Sequence, residues 1–127
     1  MAIRPAKNDL TRLELKIMQV IWKLGRSTVS AVQAELKPAL AYTTVQTMLN
    51  ILERKGKLKR KLRGRAYVYS ATVTEAKASR HAVRDLVDRM FGGSADELVM
   101  SLIKNRQIDP KRIAELSRRV EEEGGDA

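Results

Sequence analysis

Arg54-Lys55-Gly56-Lys57-Leu58-Lys59-Arg60-Lys61-Leu62-Arg63-Gly64-Arg65 carries eight basic residues in twelve and no acid. The run leaves a helical stretch rich in Thr, Gln and Asn and leads into Tyr67-Val68-Tyr69. Charge packed this densely repels itself unless it is solvated or meets a polyanion. For a folded domain the commonest polyanion is nucleic acid. Leu58, Leu62 and Val68 interrupt the charge in a strand-like way. The run therefore reads as two strands, residues 58–62 and 66–71, joined by the three-residue loop Arg63-Gly64-Arg65. A disordered localisation signal or RNA-binding tail would lack these apolar residues.

Upstream, Val45, Met48, Leu49 and Leu52 give the i, i+3, i+4, i+7 stripe of a helix over about residues 43–55. Its other face holds Thr43, Thr44, Gln46, Thr47, Asn50 and Arg54, and Gly56 is the expected stop. Earlier still, Thr11-x-x-Glu14 is a capping box, with hydroxyl and carboxylate satisfying each other's backbone N–H. Leu13, Ile17, Val20, Ile21 and Leu24 share one face of the helix it opens, and Gly25 ends it. Ser27-Thr28-Val29 reads as a short extended segment. Ser30-x-x-Gln33 reads as a second capping box, starting a short helix through Ala31, Val32, Ala34 and Leu36. Pro38 stops that helix by biasing Lys37 away from helical angles. Helix, short strand, helix, helix, hairpin is the order of a winged helix-turn-helix, assigned to residues 1–72.

Residues 73–127 read as three amphipathic helices. Thr74 caps a helix with Val83, Leu86, Val87 and Met90 on one stripe, and Gly92-Gly93 breaks it. Ser94-x-x-Glu97 caps the next, with Leu98, Val99, Leu102 and Ile103 along one side. Asp109-Pro110 is an N-cap followed by proline at the first helical position, ahead of Ile113, Leu116 and Val120. The acidic, Gly-rich end from Glu121 is expected to fray. The fold class is mainly α with a small β-hairpin: a winged helix followed by a three-helix dimerisation region. So small a helical piece buries little surface alone. A second copy of the chain is the economical cover for its apolar faces.

Bulk properties narrow the function. The chain has 127 residues and a net charge of +10. Residues 1–72 carry +11 and residues 73–127 carry −1, so all the excess lies in the first half. There is no cysteine, hence no disulfide and no thiolate metal site. No apolar run approaches the ~20 residues of a membrane span, and the N-terminus lacks a signal-peptide core, so a cytoplasmic location is expected. His81 is the single histidine and sits in a basic helical stretch, as a surface residue would. No phosphate loop, nucleophile elbow or metal-ligand cluster occurs, so neither catalysis nor a cofactor or metal is expected. Met18, Met48, Met90 and Met100 fall near the helix stripes and read as core filler.

On the polar helix, Gln and Asn can pair with adenine and Thr methyl groups can pack on thymine. Arg63 and Arg65, flanking Gly64, suit phosphates or a minor groove. The helix N-terminus near Ser30 would also face a phosphate favourably, although Ser30 reads first as a cap. The plain alternative is a solvated polar face beside a charged turn. The rival functional classes are a non-specific architectural or RNA-binding protein and a module for an acidic protein partner.

Leu10-Thr11-x-x-Glu14-x-x-Ile17-Met18-x-x-Ile21-Trp22, Tyr42-Thr43-Thr44-Val45-Gln46-Thr47-Met48-Leu49, Lys55-Gly56 and Gly64-Arg65-x-Tyr67-x-Tyr69 together resemble the penicillinase repressor family (BlaI/MecI type) over nearly the whole chain. The resemblance implies a homodimeric repressor that binds a palindromic operator in double-stranded DNA and controls β-lactam resistance or related stress genes. Thr43, Thr44, Gln46 and Thr47 match the reading helix, and Arg63, Gly64 and Arg65 match the wing. The helices carrying Val83, Leu86, Val87, Met90, Leu98, Leu102, Ile113, Leu116 and Val120 match the dimerisation region. The resemblance also implies a membrane sensor protease as partner. Where cleavable members carry Asn-Phe, this chain carries Ser101-Leu102, a departure from the bond that protease cuts. Copper-sensing relatives carry a cysteine-rich tail, which this chain lacks.

Overall fold

Thr11 starts the first element of the computed structural model, which describes residues 10–124. Its hydroxyl accepts from the Glu14 backbone N at 3.1 Å, and Glu14 Oε1 accepts from the Thr11 backbone N at 2.8 Å. This is the expected capping box, and it opens α1 (Arg12–Leu24). Then follow α2 (Val29–Glu35), α3 (Tyr42–Arg54), β1 (Leu58–Arg63), β2 (Ala66–Ala71), α4 (Glu75–Met90), α5 (Ala95–Lys104) and α6 (Pro110–Glu122). No helix among the described residues is long and apolar enough to cross a membrane. The described residues divide into two compact units, the first ending at Ser79 and the second beginning at Arg80.

The first unit is organised by apolar stripes that meet. Ile17, Met18 and Ile21 of α1, Val29 and Val32 of α2, Leu36, Val45, Leu49 and Leu52 of α3, Leu58 of β1 and Tyr69 of β2 form one buried cluster. Ser27 and Tyr69 exchange backbone hydrogen bonds of 2.9 and 2.8 Å, so the segment after α1 acts as a short third strand. Three helices backed by a hairpin and this bridge make the winged helix-turn-helix. Val73 belongs to the same packing, because Trp22 Nε1 donates to its carbonyl at 2.9 Å.

Two local readings are corrected. The cap of α2 is Thr28, not Ser30: Thr28 has extended angles and its hydroxyl accepts from Ala31 N at 3.2 Å. A start at Val29 puts Val29 and Val32, three apart, on the buried side, and the core selects that phase over the Ser30 motif. Gln33, the other half of the supposed box, instead donates from Nε2 to the Leu40 carbonyl at 3.0 Å. The hairpin turn is also tighter than three residues. Arg63 pairs with Ala66, leaving Gly64 and Arg65 as the turn. Gly64 has a φ of 64° and Arg65 is not in the left-handed region, the pattern of a II′ turn whose twist matches the strands.

Glu14 also joins α1 to α3. Its side chain is only 3% exposed, and the oxygen that accepts from Thr11 N also accepts from Lys55 Nζ at 2.8 Å. Burial pushes the Glu14 carboxyl up, but the bonds from Lys55 and Thr11 and the Lys55 charge outweigh it, so its pKa lies below the usual 4.5.

The expected caps of α4, α5 and α6 are in place. Thr74 Oγ1 accepts from Lys77 N, Ser94 Oγ from Glu97 N and Asp109 Oδ1 from Lys111 N, at 3.1, 3.2 and 2.8 Å. Yet no described residue of α4, α5 or α6 is buried. Met90 is 70% exposed and Met100 45%, so neither is core filler within one chain, whereas Met18 is fully buried. The helix α6 runs to Glu122, past the start of the expected fraying, and residues 125–127 lie outside those described.

Two outcomes follow from the caps and the ion pair. Thr28→Ala is expected to destabilise by about 1 kcal/mol and Ser30→Ala by far less, read by urea denaturation. Because the folded Glu14 pKa is depressed, its contribution is complete above the unfolded value of about 4.5 and is lost as pH falls through the folded one. Glu14→Gln is expected to cost roughly 1–3 kcal/mol near neutral pH, and the gap from wild type should narrow below that window.

Candidate nucleic-acid interface

α3 is held by one side and open on the other. Val45, Leu49 and Leu52 are fully buried, while Thr43, Thr44, Gln46, Thr47 and Arg54 are exposed. Thr43, Thr47, Asn50 and Arg54 recur at intervals of four, three and four, a single stripe opposite the core. Gln46 flanks it on one side and Thr44 lies towards the other. The N-cap of α3, Ala41, supplies no side-chain acceptor for the first-turn N–H groups. Asn50 differs from its neighbours on the stripe. It is half-buried, and its Oδ1 accepts from the Tyr69 hydroxyl at 2.8 Å and from Arg60 Nη1 at 3.1 Å.

The hairpin sorts the basic run by strand alternation. Cross-strand partners share a face, so Lys59, Lys61 and Arg63 lie with Ser70, Val68 and Ala66. The opposite face carries Leu58, Arg60 and Leu62 with Ala71, Tyr69 and Tyr67. Its inner end, Leu58 and Tyr69, enters the core. Its outer end, Leu62 and Tyr67, stays exposed. The Arg60 guanidinium lies 4.3 Å from the Tyr67 ring centroid, a cation–π contact. Arg63, Gly64 and Arg65 all stand exposed at the tip. Below them, Thr72 closes the base of the hairpin, its N–H bonding the Lys57 carbonyl at 3.0 Å and its hydroxyl the Gly56 carbonyl at 2.6 Å.

The structure thus brings the exposed face of α3 and the basic hairpin into one unit, with α3 packed against β1. Sequence reasoning found both but missed how they are joined. Tyr69 was read as a residue of the 66–71 strand and of the family motif, not as core, yet it is 1% exposed. Its shared face with Leu58 was the available signal, but only once the register was known. No group of three or more His, Cys, Asp or Glu is placed to hold a metal among the described residues. His81 is exposed.

Residues 10–122 match the penicillinase repressor family. The chain belongs to that family. It is 31% identical to the penicillinase repressor of Bacillus licheniformis over 90% of this chain and 91% of that protein. It is 26% identical to the penicillinase repressor of Staphylococcus aureus, over 85% and 87% respectively. Among solved structures, the B. licheniformis BlaI monomeric form in complex with the blaP half-operator matches with a TM-score of 0.47 and 34% identity, over 54% of this chain and 87% of that one. The family consists of transcriptional repressors, so this chain is a DNA-binding repressor and not an enzyme.

Proposed function

We propose that the chain represses transcription as a homodimer on a palindromic operator, reading bases with α3 and gripping the backbone with the hairpin. The observation that carries this reading is the pairing of a polar helix face, held rigidly from behind, with a hairpin whose tip and one face are cationic. Thr43, Thr44, Gln46 and Thr47 offer hydrogen bonds and methyl groups to base edges. Arg63 and Arg65, set by the turn at Gly64, reach phosphates or the minor groove, and Arg54 extends the cationic surface. Two such units related by a two-fold axis require inverted half-sites about one helical turn apart, or a multiple of it.

The second unit supports the dimer. Val83, Leu86 and Met90 of α4 are 54%, 43% and 70% exposed, and Val120 of α6 is 52% exposed. Val87, Leu98, Leu102, Ile113 and Leu116 are only half-buried. A second copy covers these stripes with chemistry that matches them. The names of the relatives make β-lactam resistance genes the first candidate targets, and the cytoplasm is where such a repressor meets DNA. A membrane sensor protease is a candidate partner. The bond it would meet, Ser101-Leu102, lies inside α5, so cutting there requires that helix to unwind.

Binding to the chain's own upstream promoter and to a scrambled duplex, followed by fluorescence anisotropy across a salt series, tests the reading. Promoter binding that survives salt which removes the scrambled duplex supports it. Equal, salt-sensitive binding to both favours the architectural alternative. In that assay Arg63→Ala with Arg65→Ala is expected to weaken binding to every sequence and to lower the log–log salt slope by about one unit for each phosphate no longer neutralised. Gln46→Ala is expected to lose roughly 1–3 kcal/mol of discrimination at particular base pairs only. Equal losses on promoter and scrambled DNA would remove Gln46 from the reading face. Leu86→Asp places a charge on the α4 stripe and is expected to give monomers by sedimentation; an unchanged dimer contradicts the assigned interface.

A further inference from the structure

Asn50 lies on the stripe of α3 that faces away from the core, where an asparagine is an obvious base reader. Bidentate recognition of adenine needs both ends of the amide, with Oδ1 accepting from the base. Here that oxygen is already engaged twice, by the Tyr69 hydroxyl at 2.8 Å and by Arg60 Nη1 at 3.1 Å. A carbonyl oxygen has two lone pairs, and both are occupied. The two donors come from different strands of the hairpin. Tyr69 is 1% exposed, and its backbone is doubly bonded to Ser27. Arg60 is steadied from its other side by the Tyr67 ring, 4.3 Å from its guanidinium carbon. One oxygen near the middle of α3 therefore holds both β1 and β2.

We infer that Asn50 is a positioning residue that fixes the hairpin to the reading helix through this single oxygen, and that it is not a base reader. The inference rests on the proposed roles of α3 and the hairpin and assigns a different task to one residue of that site. Base reading by α3 and backbone contact by the hairpin must be made on the same stretch of DNA. Each carries the entropic cost of immobilisation unless their relative angle is set in advance. Tyr69 takes part without touching DNA. Its hydroxyl would be a buried, unsatisfied donor without Asn50, so the pair is mutually enforced. Arg60 is drawn into the same joint, which separates it from Lys59, Lys61 and Arg63 on the other face.

The test uses the full chain with Tyr69→Phe and Asn50→Ala, each alone and combined with Arg63→Ala plus Arg65→Ala. Tyr69→Phe keeps the ring in the core and removes only the donor. It is expected to weaken promoter binding about fivefold, the weight of one hydrogen bond. Asn50→Ala should lose at least as much, evenly across a series of single base-pair changes. Both losses should shrink towards nothing once the tip arginines are gone, because the joint acts through the hairpin. Unchanged affinity in Tyr69→Phe, additive losses in the combined variants, or an Asn50→Ala loss confined to one base pair would each overturn the inference. Hydrogen exchange of the free protein reads the joint without DNA. In Tyr69→Phe the β1 and β2 amides should exchange faster while those of α1 hold, and equal protection overturns the inference. If wild type failed to prefer the promoter, the proposed function would fall, and the exchange experiment would still decide the role of Asn50.

Discussion

A helix with the reading role proposed for α3 must be held from one side only, and the first unit holds α3 in this way. Burial of Val45, Leu49 and Leu52 supplies the main attachment, at roughly 1.5–3 kcal/mol for each fully buried aliphatic side chain. Apolar contact alone lets a helix slide or roll, because it has no direction. The polar contacts remove those freedoms. Lys55, at the C-terminal end of α3, is tied to the first turn of α1 through Glu14. A buried carboxylate is normally a liability. Here one of its oxygens satisfies both a backbone N–H and an ammonium, so the charged form is favoured despite burial. The same group caps α1 and anchors α3, which makes the start of one helix and the end of the other interdependent.

The basic run shows how strand geometry turns a charge cluster into a surface. Within a helix, residues this rich in Lys and Arg would crowd like charges at i, i+3 and i+4. In a strand, alternation sends Lys59, Lys61 and Arg63 to one face and Arg60 to the other, where an aromatic ring meets it. Neighbours on one face are then about 7 Å apart, wider than the roughly 5–6 Å between i, i+4 neighbours on a helix. Neither strand contains an acidic residue to neutralise the hairpin, so its field remains available to an outside polyanion. The same alternation puts Leu58 and Tyr69 into the core, so one short element contributes both to packing and to the cationic surface.

Features decided within a few residues were legible in the sequence. The capping box at Thr11, the helix stripes, Gly25, Gly64 and Asp109-Pro110 depend on local angles and i, i+3 contacts, and the winged order emerged from them. Where two local signals competed, tertiary packing decided. Thr28 and Ser30 are both sound caps, and only the demand that Val29 and Val32 enter the core selects between them. The nonlocal joints were invisible for a related reason. That Glu14 would meet Lys55, or Asn50 would meet Tyr69, depends on positions fixed only after the helices pack and the hairpin register is set. Asn50 was read as an open polar residue because periodicity places it on the outward stripe, and periodicity carries no information about what folds over it. The dimerisation stripes were read from spacing, and a single chain leaves them without cover.

The contrast between the two units has a consequence for the proposed repressor. The first unit closes a core of its own, whereas the second displays apolar stripes and buries no described residue of α4, α5 or α6. In a dimer, engagement of one half-site makes the second an intramolecular event at high effective concentration, so occupancy of a palindrome exceeds what either unit achieves alone. That gain depends on the weaker of the two assemblies. The core of the first unit need not change for repression to end. Any event that lowers dimer stability by a few kcal/mol forfeits the intramolecular advantage while leaving both DNA-binding units folded. In the proposed dimer, control is therefore best exerted on α4 to α6, whose apolar surface a second copy would cover, rather than on α3, whose anchors lie within one chain.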